Sequence, residues 1–279
     1  MDLLVTVNRS YLHPLAVMLK SVVQQHPGRY IRVFVLHRSL VPEDLDRVAR
    51  AVDAPDLELV GIRADDRLFA GAPTTGRYPC EIYDRIFAAR YLPKDLDRVL
   101  YLDPDLVAIR PLDELWATPM GDCFFAAASH VNRSLEKFNA LRLQSRTPGP
   151  YINSGVLLMN LERLRREQEL QPVLDYVEEH RSALLLPDQD IISALYGDRI
   201  HLLDPMRYNM TERLLTFSRL TPGSQIDLDW VCSHTAIVHY CGRNKPWKPG
   251  YTGQLGEFYE AYDGLIHAEA LEEGSPDPQ

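Results

Sequence analysis

The chain has 279 residues, 46% of them hydrophobic and 25% charged, with a formal net charge of -9 at pH 7. That length can bury a large core and is ordinary for one soluble α/β domain. The acidic balance excludes a nucleic-acid surface, which needs concentrated Lys and Arg, and disfavours strong adsorption of the whole chain to an anionic membrane. No basic stretch leads into an apolar core at the start, so no secretory signal is expected. No apolar run nears the roughly 20 residues of a spanning helix. Cys80, Cys123, Cys232 and Cys241 form no CxxC pair, which fits reduced thiols in a cytoplasmic protein rather than a zinc site.

In chain order, "LLVTV" (Leu3 to Val7) reads as a buried strand. A helix follows over "YLHPLAVMLKSVVQQ", with Leu15, Met18, Leu19 and Val22 at helical spacing. "IRVFVL" is a second strand, "VPEDLDRVARAV" a helix opened by Pro42 with acids in its first turn, and "LELVGI" a third strand. Strands and helices alternate and the strands are continuously apolar, which predicts a mostly parallel central sheet covered by helices on both faces. "YPCEIYDRIFAARYLP" predicts a helix, and "VLYL" and "CFFAAAS" two more strands. "YINSGVLLMNLERLRREQELQPVLDYVEEH" predicts a strand running into one charged-faced helix. "DQDIISALYG" is a short helix and "HTAIVHY" a late strand. There is no repeat or linker, so residues 1–270 are expected to form one domain and 271–279 a disordered tail.

"VLYLDPD" places Asp103 and Asp105 directly after a buried strand. Taken alone, the pair reads as a polar turn, a phosphatase nucleophile or a metal clamp. A bend at Pro104 would turn both carboxylates toward one ion. Hard oxygen donors suit Mg²⁺ or Mn²⁺, and strand carboxyl ends are where open α/β sheets bind ligands.

Further motifs follow apolar strands. "HYCGRNKPW" offers His239 as an imidazole, Gly242 as a place for close backbone approach, and Lys245 as a point charge for phosphate. A structural histidine and a solvated lysine are the plain alternatives. In "PDQDIISALYG", Asp188 reads as a helix cap, which leaves Gln189 unexplained. "YINSG" sets Asn153 beside Gly155, where an Asx turn also accounts for it, and "YDR" puts Arg85 on an apolar helix, where an ion pair is the plain reading.

In order and spacing, "YDR", "VLYLDPD", "NSGVLLMN", "DQD" and "HYCGRNKPW" together resemble glycosyltransferase family 8, which includes bacterial lipooligosaccharide α-galactosyltransferases and glycogenin relatives. The resemblance runs from residue 1 to about Trp247. It implies a GT-A type, Rossmann-like fold and transfer of a hexose, galactose or glucose, from a UDP-sugar with retention. It also implies dependence on Mn²⁺, with Mg²⁺ as the alternative ion. Asp103, Asp105 and His239 would hold the metal, and Gly242 and Lys245 the diphosphate. Arg85 and Asn153 would contact the donor sugar or its phosphate, and Asp188 and Gln189 would flank the anomeric carbon. Asn8 and Tyr11 would lie against uridine.

The chain departs from that pattern in two places. It carries Asn8 and Arg9 where the bacterial galactosyltransferases have acids, and His130 where they place an aspartate near the sugar pocket. It also lacks the basic membrane-associating tail of some members. A cytoplasmic enzyme, soluble or loosely peripheral to the inner membrane face, is therefore expected, with a glycan, lipid-linked or protein acceptor held by the stretch 132–150 or 218–228. The competing readings are a DxD metal-dependent phosphohydrolase and a catalytically silent sugar-nucleotide-binding protein.

Overall fold

Among the described residues, nine strands form where branched, apolar runs are bounded by polar turns. They are β1 Asp2–Thr6, β2 Ile31–His37, β3 Leu57–Arg63, β4 Arg98–Leu102, β5 Leu106–Ala108, β6 Phe125–Ala128, β7 Val156–Asn160, β8 Ile200–Leu203 and β9 Ile237–His239. The computed structural model describes residues 1–64, 81–220, 223 and 226–272. The expected disordered tail therefore falls almost wholly outside the described residues, as do Tyr78 and Cys80.

Seven strands make the central sheet in the order β3-β2-β1-β4-β7-β6-β8, and β5 pairs with β9 in a small second sheet. β7 runs antiparallel to both its neighbours, β4 and β6, and every other pair in the large sheet is parallel. The sheet is mostly parallel, as expected.

Alternate residues of each inner strand enter opposite cores. Leu3 and Val5 of β1 join the layer containing helix Leu12–Gln25, and Leu4 joins the layer containing helix Pro187–Tyr196. Burial on both faces explains why these strands read as unbroken apolar runs.

Several predicted elements change. The long helix after β7 is two helices, Leu161–Glu167 and Gln171–Glu179. Pro172 sits in the first turn of the second, where its missing amide costs nothing, whereas inside one continuous helix it would break the ladder. In the break, Gln168 Nε2 donates to the Ile86 carbonyl at 2.9 Å. The helix expected around Arg85 is, in its described part, a turn Glu81–Asp84, a 3₁₀ turn Arg85–Phe87 and a turn Ala88–Tyr91. β5 and β8 have no counterpart among the predicted strands. The late strand, β9, pairs with β5 rather than the central sheet.

Candidate active site

The chain bends at Pro104 and Asp105, between β4 and β5. Asp103 therefore directly follows a strand of the large sheet and Asp105 directly precedes a strand of the small one. Across from them, the Asp103 amide donates to the Gly155 carbonyl at 2.8 Å, and the Tyr240 amide donates to the Asp105 carbonyl at 2.9 Å. Pairing of Leu106 with His239 brings the imidazole alongside. One ligand atom each from Asp103, Asp105 and His239 lie within 4.8 Å of one another. His239 Nε2 is 3.1 Å from Asp105 Oδ1 and 3.8 Å from Asp103 Oδ2.

The bland reading of His239 as a core histidine accounts for its burial but not for where Nε2 points. The other ring nitrogen, Nδ1, is 2.8 Å from Asn209 Oδ1. Donation to that oxygen commits Nδ1 and leaves Nε2 as the nitrogen turned to the carboxylates, free to bind a cation once it gives up its proton, the orientation metal-binding imidazoles adopt. Asn209 is fully buried, and its Nδ2 donates to Asn153 Oδ1 at 3.0 Å. Asn153 in turn receives the Gly155 amide at 3.0 Å and reaches Gln189 Oε1 at 3.4 Å. The Asx turn anticipated from sequence exists, and Asn153 also connects the imidazole to Gln189.

Arg85 is buried. Its Nη1 donates to Asp103 Oδ1 at 2.9 Å and lies 3.1 Å from Asp188 Oδ2, while its guanidinium stacks 4.5 Å from the Tyr101 ring centroid. Tyr101 also donates to Asp103 Oδ1, at 2.5 Å. Lys245 Nζ bonds to Asp105 and donates to the Tyr240 carbonyl at 2.8 Å.

Burial favours the neutral form of Asp188 and raises its pKa despite Arg85. Burial acts the same way on Asp105, but His239 and Lys245 outweigh it and hold that carboxyl well below its usual range. For His239 burial works downward, and Cys241 and Asp105 overcome it and raise the imidazole.

Asp188 does not cap its helix. The cap position of Pro187–Tyr196 is Leu186, and the carboxylate that receives the Leu185 and Leu186 amides is Asp190, at 2.7 and 3.0 Å. Asp188 and Gln189 are thereby left facing Arg85 and Asn153. Asn8 spends its side chain on the Ser10 amide and hydroxyl, and Arg9 turns away to Asp44 at 2.9 Å. Tyr11 packs edge-on to Trp247 with centroids 6.0 Å apart, and Lys245 Nζ lies 5.5 Å from the same indole. Gly242 adopts φ +89°, a conformation suited to glycine. His130 Nε2 donates to the Asn209 carbonyl at 2.8 Å, and burial with the nearby His239 lowers its pKa to about 4.

Sequence reading missed Asn209, Tyr101 and Thr6, whose hydroxyl bonds Tyr101 at 2.9 Å. Tyr101 looked like one more buried strand residue, and nothing around Asn209 forms a motif.

A cavity of about 410 Å³ opens beside these groups, lined by His130, Asn153, Gln189, His239, Cys241 and Gly242 among others. Val131 and Tyr151 line it, but none of residues 132–150 does, nor does any described residue of 218–228. Neither stretch expected to build the acceptor groove forms the cavity wall.

Two carboxylates and an imidazole suit Mn²⁺ or Mg²⁺. The space they face is kept clear by Gly155, where a Cβ would come within 2.1 Å of His239 Cε1 and 2.8 Å of Asp103 Oδ2. The residues present fit a divalent cation.

The family model for glycosyl transferase family 8 matches residues 2–249. General stress protein A of Bacillus subtilis is 22% identical over 78% of this chain and 77% of its own length. The lipopolysaccharide 1,2-glucosyltransferase of Escherichia coli is 23% identical over 86% of this chain and 71% of its own. Among solved structures, the galactosyltransferase LgtC in complex with donor and acceptor sugar analogs superposes with a TM-score of 0.81 at 25% identity, covering 99% of this chain and 98% of that one.

Proposed function

The chain belongs to glycosyl transferase family 8 and has the GT-A fold, and from that premise we propose that it moves a hexose, galactose or glucose, from a UDP-sugar to a glycan, lipid-linked or protein acceptor with retention of configuration. The convergence of Asp103, Asp105 and His239 within 4.8 Å carries this reading. Mn²⁺ is the proposed ion, with Mg²⁺ as the alternative, and the cytoplasm the proposed compartment. The unit that acts is residues 1–270.

Bound to those three side chains, the metal supplies Lewis acidity that offsets the charge developing on the leaving diphosphate. The other steps belong to the chain's own groups. Lys245, already beside Asp105, is placed to share the diphosphate charge. Arg85 links Asp103 to Asp188 and positions both. Tyr11 and Trp247 offer an aromatic edge next to Lys245 for the base. Gln189, held by Asn153, reaches the cavity wall where the sugar and acceptor would meet.

Asp188 is pinned 3.1 Å from Arg85, and burial favours its protonated form; both weaken it as a nucleophile. Same-face attack is therefore favoured over double displacement, with the leaving phosphate oxygen accepting the proton of the acceptor hydroxyl. Asp103 is equally engaged, by Arg85 and Tyr101 on one oxygen, which disfavours a phosphohydrolase nucleophile there.

The test is UDP release from a panel of UDP-sugars with and without Mn²⁺. The expected outcome is Mn²⁺-dependent turnover of at least one UDP-hexose, lost by about 100-fold or more in Asp105→Asn. Neither turnover nor Mn²⁺-dependent thermal stabilisation with any donor would overturn the assignment.

A further inference from the structure

Two helices next to the cavity mouth carry large apolar side chains into solvent. Helix Arg133–Arg142 starts two residues beyond Val131, a lining residue, and none of its residues is buried. It exposes Leu135, Phe138 at 61% and Leu141 at 79%, spaced three apart and so on one face. Helix Glu212–Leu220 lines the cavity with Leu214 and Phe217 and exposes Phe217 and, at 72%, Leu220. Leu185 is also exposed, next to Leu186, another lining residue. Arg142 joins the first helix to this segment through the Ala183 carbonyl and Asp190. These six are the majority of the ten large apolar side chains exposed among the described residues, and all lie on segments that line or adjoin that cavity rather than being scattered over the chain. A ten-residue helix with nothing buried is also marginal in water.

The charges around the patch indicate what covers it. Arg133, Lys137, Arg213 and Arg219 are all exposed on the two helices. Arg142 is paired with Asp190, and Glu212 is held by the Tyr251 hydroxyl at 2.9 Å and by the Leu255 amide. That leaves Glu136, itself half-buried, as the one other acid on these helices. The net charge of -9 belongs to the whole chain, and screening over about 10 Å lets a local basic surface act independently of it. Apolar side chains ringed by Lys and Arg suit the boundary between headgroups and acyl chains.

We propose that helices Arg133–Arg142 and Glu212–Leu220 seat this protein on an anionic lipid surface, with the cavity mouth turned toward an acceptor carried there. The placement of the acceptor rests on the glycosyl-transfer reading; the lipid binding does not.

The test is co-sedimentation of the full chain, without donor or acceptor, with vesicles of phosphatidylcholine alone and of an equimolar phosphatidylcholine–phosphatidylglycerol mixture. Binding is expected to the mixed vesicles and to weaken with salt. The double variant Phe138→Ser, Leu141→Ser should lose at least about tenfold in affinity, with UDP release in solution unchanged. Leu265→Ser, an exposed residue elsewhere, should bind like the parent. The proposal is overturned if the parent binds neither vesicle, or if the double variant binds as well as the parent. It is also overturned if Leu265→Ser loses as much, or if the patch instead drives a dimer that the double variant dissolves. Absence of glycosyl transfer with vesicle binding intact would instead overturn only the enzymatic reading.

Discussion

Gly155 sets the spacing of the candidate metal ligands by lacking a side chain. In Gly155→Ala the new methyl would lie 2.1 Å from His239 Cε1, and the ring cannot retreat freely because it is buried and tied to Asn209. The expected result is a folded protein destabilised by about 1–3 kcal/mol from overpacking, with a larger loss in Mn²⁺ affinity. Chemical denaturation and metal titration separate the two. His130 allows a pH prediction. Its folded pKa of about 4 lies below the usual 6.5, so between those values the unfolded chain takes up a proton that the native one refuses. Stability is then fully present above pH 6.5 and falls as pH drops toward 4, by up to about 3 kcal/mol. Denaturation midpoints of His130→Gln should show a shallower decline over that window; an identical profile would remove His130 as the cause.

At the scale of elements, the start of helix Pro187–Tyr196 decides where Asp188 and Gln189 point, and Asp190 fixes that start. Its fully buried carboxylate takes the Tyr151 hydroxyl at 2.7 Å and Arg142 Nη2 at 2.8 Å, besides the two loop amides. Asp190→Ala would leave Arg142 with its charge uncompensated and partly buried, a loss of about 3–5 kcal/mol for breaking such a pair. Urea denaturation would read it, and any surviving turnover should be poor because the helix start that aims Gln189 is no longer fixed. "DQD" is legible as a helix start, but the carboxylate that fixes this start is Asp190, under the Leu185 and Leu186 amides, and not Asp188. Sequence order favours the first carboxylate, whereas the loop places the last one under its amides. The buried strands and the Pro42 helix start were legible because their signals are local: continuous apolar runs and a fixed φ. β9 reads as a strand on its own, but β5 has only three residues and gains its identity by pairing with β9 about 130 residues away, and no window along the chain contains that information. Asn209 was invisible for the same reason. Its role consists of three contacts, to His239, Asn153 and His130, none of them adjacent in sequence.

At the scale of the whole molecule, the three candidate ligands belong to different sheets. Asp103 hangs from β4 in the large sheet, while Asp105 and His239 belong to the small β5–β9 pair. The two half-buried carboxylates, close together, are balanced by Arg85, Lys245 and the raised imidazole. A divalent cation bound there would tie the two sheets through one centre, and because the unfolded chain has no such constellation, the binding energy appears as folding stability. At about 100 times its Kd, Mn²⁺ should add about 2.7 kcal/mol, a rise of roughly 5–10 °C in Tm for a chain of this size. Calorimetry with Mn²⁺ and with EDTA measures it. Asp105→Asn should lose the Mn²⁺ increment, and it should also start lower, because Lys245 is then buried without its carboxylate. A general salt effect would raise parent and variant alike. A metal joining the two sheets raises the parent alone, and equal shifts in both proteins would refute the ligand assignment while leaving the fold untouched.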